Sequence, residues 1–277
     1  QIDNEQSSEW LKKEIKELYN LDNLEIKTRT SAAAYHGYNF LLARENLTDH
    51  LSKDKKEGKI RQRLLKIRAK KVITATGSLE RPMVFNNNDR PGIMLSSAIK
   101  KYVDFYGVIP GKNSVFFTNN DSAYESAISL HNKGIKVEAI IDIREKSNSN
   151  IIKEVENVGI KIYWSHTVVN TQGYKKLNEV SIMKLSKDDE SVVGSKIKLK
   201  CDCLGMAGGW TPAVHLFTQS GGKLKFDEVD KVFLPNKYPS EQISIGSCNG
   251  DFELDKVVEN TSSSIIDFLN IKEKDYI

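Results

Sequence analysis

The residues with the most chemical content lie in Val115-Phe116-Phe117-Thr118-Asn119-Asn120-Asp121-Ser122-Ala123. A hydrophobic run enters a tight turn and a helical pattern opens at Asp121, Ser122 and Ala123. That is how a Rossmann-type unit presents backbone N–H groups to a pyrophosphate. Glycine usually fills such a turn, because the backbone needs unusual dihedrals and a Cβ holds phosphate away. Here Thr118, Asn119 and Asn120 stand in those places. Asparagine tolerates the left-handed region, so the turn survives, while phosphate binding is predicted to be weakened or redirected. Asp142 closes the next hydrophobic run about 20 residues on, where an acidic side chain bonds ribose hydroxyls and favours NAD over NADP. The plainer alternative is an acidic strand end beside Arg144.

A second candidate site comes from two separated turns. Val72-Ile73-Thr74-Ala75-Thr76-Gly77 is a β-branched run ending in glycine, and Gly246-Ser247-Cys248-Asn249-Gly250 lies between a strand and the last helix. A glycine-rich turn at a helix start places N–H groups and the positive dipole end near a phosphate or flavin. Thr76, Gly77, Gly246, Ser247, Asn249 and Gly250 are therefore the cofactor-binding candidates of a first domain, and Thr118 to Ala123 with Asp142 those of a second, degenerate site. Gly208-Gly209-Trp210-Thr211-Pro212 permits close backbone approach, with Trp210 read as packing. His215, in Val214-His215-Leu216-Phe217, reads as a core histidine. No Ser-His-Asp, Cys-His or HExxH pattern occurs, so no catalytic side chain is assigned and any redox chemistry belongs to a cofactor.

The elements that position these residues follow from periodicity. Ser8 to Leu21 reads as an amphipathic helix; Leu24–Thr28, Tyr38–Arg44 and Arg61–Arg68 read as short strands, with an exposed loop over Thr48–Lys59. After a helix at Ser96–Tyr106, strand Ser114–Phe117, helix Asp121–Lys133, strand Val137–Ile141, helix Ile151–Val158 and strand Ile160–Tyr163 alternate, which predicts a parallel sheet. A meander follows at Val168–Thr171, Leu177–Leu185 and Lys196–Leu204, and Gln242–Ile245 leads to a final helix at Leu254–Leu269. The fold class is α/β, with two Rossmann-like three-layer nucleotide-binding domains, the second inserted in the first. The expected boundaries are 1-106 with 236-277 for the first and 107-235 for the second.

Composition restricts the function classes. With 277 residues, 39% of them hydrophobic and 28% charged, the chain reads as an ordinary soluble protein. A net charge of +4, dispersed over mixed lysines and acids, argues against a nucleic-acid partner. No apolar run approaches the ~20 residues needed to cross a bilayer, so no membrane partner is expected. Cys201, Cys203 and Cys248 cannot form a disulfide framework and fit a reducing cytoplasm; Cys201 and Cys203, two apart in a strand-like run, are expected on one sheet face, with no metal site. Gln1 in place of Met suggests a piece of a longer chain.

Longer strings carry a resemblance. Ala75-Thr76-Gly77 with Glu80-Arg81-Pro82, Asn88-Asp89-Arg90-Pro91-Gly92, Thr118-Asn119-Asn120-Asp121-Ser122-Ala123-Tyr124 and Gly208-Gly209-Trp210-Thr211-Pro212-Ala213-Val214-His215-Leu216-Phe217 resemble the alpha subunit of heterotetrameric sarcosine oxidase. The resemblance runs from about Thr30 to the final helix. It implies an oxidoreductase component for oxidative demethylation of sarcosine to glycine, with tetrahydrofolate as one-carbon acceptor and FAD and FMN in the full complex. It also implies NAD in the first domain, partner subunits of beta, gamma and delta type, and a first domain lacking its N-terminal βαβ unit and main phosphate loop. On that basis the isolated chain is expected to be an inactive fragment. The competing readings are a related amine or opine dehydrogenase subunit, a pyridine nucleotide-disulfide oxidoreductase disfavoured by the lack of CxxC, and a non-catalytic scaffold packing against partners.

Overall fold

The computed structural model describes residues 6–271, and the chain divides into two compact units. Unit 1 is built from the chain up to Ser78 and from Pro212 onward; unit 2 is the continuous stretch Leu79–Thr211.

Unit 1 begins with α1 (Ser7–Leu18), followed by strands β1 (Thr30–His36) and β2 (Phe40–Asn46), the short α2 (Lys53–Lys56), β3 (Gln62–Arg68) and β4 (Val72–Thr74). β1, β2 and β3 form an antiparallel meander. The expected strand at Leu24–Thr28 is absent, and β1 is formed by Thr30–His36 instead, where the turn through Tyr38 and Asn39 at positive φ brings it against β2. Asn39 is the polar keystone of this unit. Its amide donates to the carbonyls of Lys70 (3.0 Å) and Glu241 (2.9 Å), and its oxygen accepts from the Tyr35 hydroxyl (2.8 Å). Burial pushes the Tyr35 phenol up to about 12, so it stays a donor at any physiological pH.

β5 (Ser78–Glu80) leads into unit 2, which carries β6 (Ile93–Leu95), α3 (Ser96–Asp104), β7 (Asn113–Thr118), α4 (Ser122–Asn132), β8 (Lys136–Asp142), α5 (Asn150–Asn157) and β9 (Lys161–Trp164). β10 (His166–Gln172), β11 (Glu179–Leu185), β12 (Val192–Lys200), β13 (Cys203–Ala207) and β14 (Trp210–Pro212) follow. The central sheet has the order β6-β13-β7-β8-β9, parallel throughout. Alternate residues of its strands feed two cores, because successive strand side chains point to opposite faces. Phe116, Ile140 and Cys203 pack with Ile99, Val103, Tyr124, Ala127, Ile152 and Val155 of the helices. Val115, Phe117, Ala139, Ile141 and Leu204 pack with Val168, Val180, Ile182 and Leu199 of the meander β10-β11-β12.

The compact units divide at 78/79 and 211/212, where the sequence led to 106/107 and 235/236. β6 pairs with β13 and α3 packs in the core around Tyr124, which ties residues 93–106 to unit 2. α6 (His215–Gln219) packs on β1, which ties it to unit 1. The expected single strand Lys196–Leu204 breaks at Cys201-Asp202, where Asp202 accepts from the Asn113 N–H (2.8 Å) and donates its own N–H to the Asn113 carbonyl (3.1 Å). Cys201 and Cys203 consequently enter opposite cores instead of sharing a face.

The remainder of unit 1 holds the hairpin β15 (Lys223–Asp227) and β16 (Val232–Lys237), β17 (Gln242–Ser244), a 3-10 turn at Gly246–Asn249 and α7 (Leu254–Leu269). β17 lies parallel to β4. Among the described residues no helix is long and apolar enough to cross a membrane.

Candidate functional site

In unit 2 the turn at Thr118–Ser122 is filled by its own side chains. The Asn120 oxygen accepts from the Ser122 N–H (3.0 Å) and Ser122 hydroxyl (2.6 Å) at the start of α4. The Asn120 amide donates to the Ala207 carbonyl (3.1 Å) and to the Asn119 oxygen (2.9 Å). Thr118 Oγ1 donates to the Asn120 carbonyl (2.8 Å) and accepts from the Asn120 N–H (3.1 Å). A helix start has orphan N–H groups that take an anion or a side-chain oxygen. Here a carboxamide oxygen holds one of them.

Asp142 is wholly buried. Its Oδ1 accepts from the Arg144 N–H (2.9 Å) and Nε (3.1 Å), and its Oδ2 from the Tyr124 hydroxyl (2.8 Å) and Arg144 Nη2 (2.7 Å). A carboxylate offers about four lone-pair sites, and these four bonds use them. Arg144 Nη2 also reaches Asp121 Oδ1 (2.7 Å). Burial by itself would lower the Arg144 pKa, but the hydrogen bonds to Asp142 and Asp121 outweigh it and raise the guanidinium. Burial, followed by the Asp142 charge and hydrogen bond, raises the Tyr124 phenol. Arg144 and Tyr124 are the residues that sequence reasoning undervalued. The signal was an Arg two positions past the acidic strand end, beside a tyrosine in the first turn of α4.

The unit 1 candidates are arranged differently. Gly77 (φ 75°) ends the segment after β4, and Gly246 (φ 66°) and Gly250 (φ 98°) bracket the turn after β17. The parallel pairing of β4 and β17 brings these ends together, so that a Cβ on Gly77 would lie 3.9 Å from the Ser247 hydroxyl. Thr76 donates to the Ala213 carbonyl (2.7 Å), and the Ala213 N–H donates to the Gly77 carbonyl (2.9 Å). The Ser247 hydroxyl and the Asn249 carboxamide are only part-buried and make no hydrogen bond to another described residue. Cys248 is directed inward, against the carbonyls of Thr74 (3.3 Å) and Ile245 (3.1 Å). The residues that are free to meet a ligand therefore alternate with one that holds the turn in place.

The other residues marked in the sequence form no ligand site among the described residues. Gly208 lies against the Arg81–Pro82 backbone and Gly209 against the Arg81 guanidinium, where an added Cβ would sit 3.0 and 3.2 Å from its nearest neighbour. His215 is exposed, not a core histidine, because Phe217 is the α6 residue that turns inward, onto Gly222 and the Tyr238 ring. Burial pushes the Cys201 thiol up to about 12 and the Cys203 thiol to about 11, so neither is poised as a nucleophile. Among the described residues no group of three or more His, Cys, Asp or Glu is placed to hold a metal.

No protein-family model matches the chain. Over 255 residues it is 35% identical to the sarcosine oxidase subunit alpha of Corynebacterium sp. (strain P-1), an alignment covering 91% of this chain and 26% of that relative. The chain is related to sarcosine oxidase alpha subunits. The subunit alpha of Rhizobium meliloti (strain 1021) is 30% identical over 233 residues, 84% of this chain and 22% of its own length. The chain thus spans about a quarter of the length of these relatives. Among solved structures, L-proline dehydrogenase from P. horikoshii matches with a TM-score of 0.58 at 22% identity, over 90% of this chain and 41% of that one. Thioredoxin reductase from Lactococcus lactis matches with a TM-score of 0.57 at 14% identity, over 87% and 73%. These likenesses concern the fold, which is α/β and Rossmann-like.

Proposed function

We propose that the chain is the nucleotide-binding part of an oxidoreductase subunit of the sarcosine oxidase alpha type, with its cofactor edge in unit 1. The contrast between the two turns carries this reading. In unit 2, Asn120 already takes the Ser122 N–H and Arg144 already takes the Asp142 carboxylate, the groups that a pyrophosphate and a ribose would use. In unit 1, Gly77 and Gly250 are part-buried glycines at positive φ, Gly246 is buried between them and the last helix, and the part-buried Ser247 and Asn249 side chains have no partner among the described residues. A glycine turn beside a free hydroxyl and a free carboxamide fits phosphate and hydroxyl oxygens.

NAD is the ligand assigned to this edge, with Thr76 fixing the strand end and Ser247 and Asn249 supplying side-chain donors. When bound, the nicotinamide or a flavin would supply the electron transfer that no side chain here supplies. The overall reaction proposed for the complete complex is demethylation of sarcosine to glycine with tetrahydrofolate as one-carbon acceptor. FAD and FMN would be held by the full assembly, together with subunits of beta, gamma and delta type. The scaffold reading is retained for unit 2 alone, because its turn is filled.

The test is NAD titration by calorimetry on the full-length subunit, comparing Gly77→Val with Asn119→Gly/Asn120→Gly. The reading requires a loss of about tenfold or more, roughly 1.4 kcal/mol, for the first variant and little change for the second. The reverse pattern would place the ligand in unit 2 and overturn it.

A further inference from the structure

Helix α3 has one face that unit 2 uses and another that it does not. Ile99 and Val103 enter the helix-side core. On the other side Tyr102 is exposed, and just past the helix C-terminus Phe105, Tyr106 and Ile109 are 75%, 58% and 60% exposed, with Val108 also exposed. Gly107, at φ 64°, turns the chain so that the Val108 N–H donates to the Tyr102 carbonyl (2.9 Å), which folds the apolar tail back on the helix end. Phe105 meets Tyr106 edge-on at 4.9 Å, and Tyr102 lies 6.0 Å from Tyr106. The aromatic group is thus already ordered while still in water. Both cores of unit 2 close without it, so it is not an unfinished part of that fold.

The charges beside it in the sequence that lack an ion-pair partner are basic. Asp104 is shared between Lys100 (3.1 Å) and Lys133 (3.2 Å). Lys101 and Lys112 make no ion pair among the described residues, and Asp104 is the sole acid between Ser96 and Asn113. Pre-ordered Tyr and Phe are the residues that supply binding energy at the centre of protein interfaces, and a basic rim selects an acidic counterpart. A second copy of the same surface would oppose lysine to lysine. We propose that Tyr102, Phe105, Tyr106, Val108 and Ile109 dock a partner subunit, on an apolar surface with an acidic rim.

The proposal rests on the reading of the chain as a subunit and is independent of the cofactor assignment. It is tested by co-expressing the full-length subunit with its partner subunits and measuring assembly by native mass spectrometry and hydrogen exchange. Phe105→Glu/Tyr106→Glu should weaken assembly about 100-fold or more. Lys101→Glu/Lys112→Glu should weaken it less and reduce its salt dependence. Val229→Glu, at an exposed apolar residue of the other unit, should leave it intact. Residues 102–109 should exchange more slowly in the complex than in the free subunit. Unchanged assembly of the aromatic variant overturns the proposal, as does protection of 102–109 already present in the free monomer or produced by self-association. Failure of the unaltered subunit to assemble would overturn the subunit reading along with it.

Discussion

Unit 2 and unit 1 answer the same architectural problem in opposite ways. In unit 2 a parallel sheet is covered on both faces, and the turn at the end of its central strand is closed by Asn120, Thr118 and the Asp142–Arg144–Tyr124 cluster. Among the described residues of unit 1 the parallel part is the pair β4–β17, α7 contributes no buried residue, and segments are tied together by polar bonds such as those of Asn39. Its glycine turn keeps two part-buried side chains, Ser247 and Asn249, without a partner among the described residues. A parallel pair ordinarily sits within a larger sheet buried on both faces. The difference shows that the fingerprint glycines and the completeness of a fold are separate properties. The unit that lost the glycines is the one with the fuller core.

The comparison breaks most readily at Asp142. Asp142→Ala would leave Arg144 partly buried without its carboxylate and the Tyr124 hydroxyl without its acceptor. It should cost about 3–4 kcal/mol in urea unfolding while leaving NAD affinity of the full-length subunit unchanged. A fall in affinity with intact stability would show that Asp142 serves a ligand after all. Asn39→Ala in unit 1 should cost about 2–3 kcal/mol, because two carbonyls and a phenol lose their partner and the residue sits at positive φ. Hydrogen exchange should locate that loss in the β1–β3 meander, and a loss confined to unit 2 would contradict the division of the chain. Asn120→Gly removes the carboxamide from the start of α4 and should cost about 1 kcal/mol, read as a small fall in thermal midpoint.

The smallest effect sharpens the electrostatics of unit 2. Burial raises the pKa of Glu80, although its Oε2 accepts from the Ser97 N–H (2.9 Å) and hydroxyl (2.6 Å). With the folded value above the unfolded one, the folded protein holds this proton more tightly. The stabilising contribution is therefore complete below the unfolded carboxylate pKa and is lost as pH rises through the folded one. Glu80→Gln should remove that component, so the stability gap between native and variant should shift toward the variant on going from pH 4 to pH 7. A gap independent of pH would show that the surroundings do not raise the pKa of this carboxyl.

Periodicity carried the parts of the fold that repeat. The alternation from β7 to β9 was legible because each strand and helix is long enough to show its own period, and α7 runs over Leu254–Leu269 as expected. What was illegible depended on partners far along the chain. β6 is too short to show a pattern and exists because β13 lies beside it. The alternation of Lys196–Leu204 continues through a break made by Asn113, some ninety residues away in sequence. Leu24–Thr28 alternates equally well but has no strand to pair with. At the candidate site the absent glycines were visible, while the identity of the group that replaced the ligand was not. That required seeing Asn120 fold back onto Ser122.

The Asn120 cap also bears on the order of assembly. A unit whose helix start needs a bound nucleotide is stabilised in proportion to the nucleotide concentration around it. With the carboxamide in place, unit 2 reaches its final form whatever that concentration is. It can present the α3 surface to a partner before any cofactor has been loaded elsewhere in the chain.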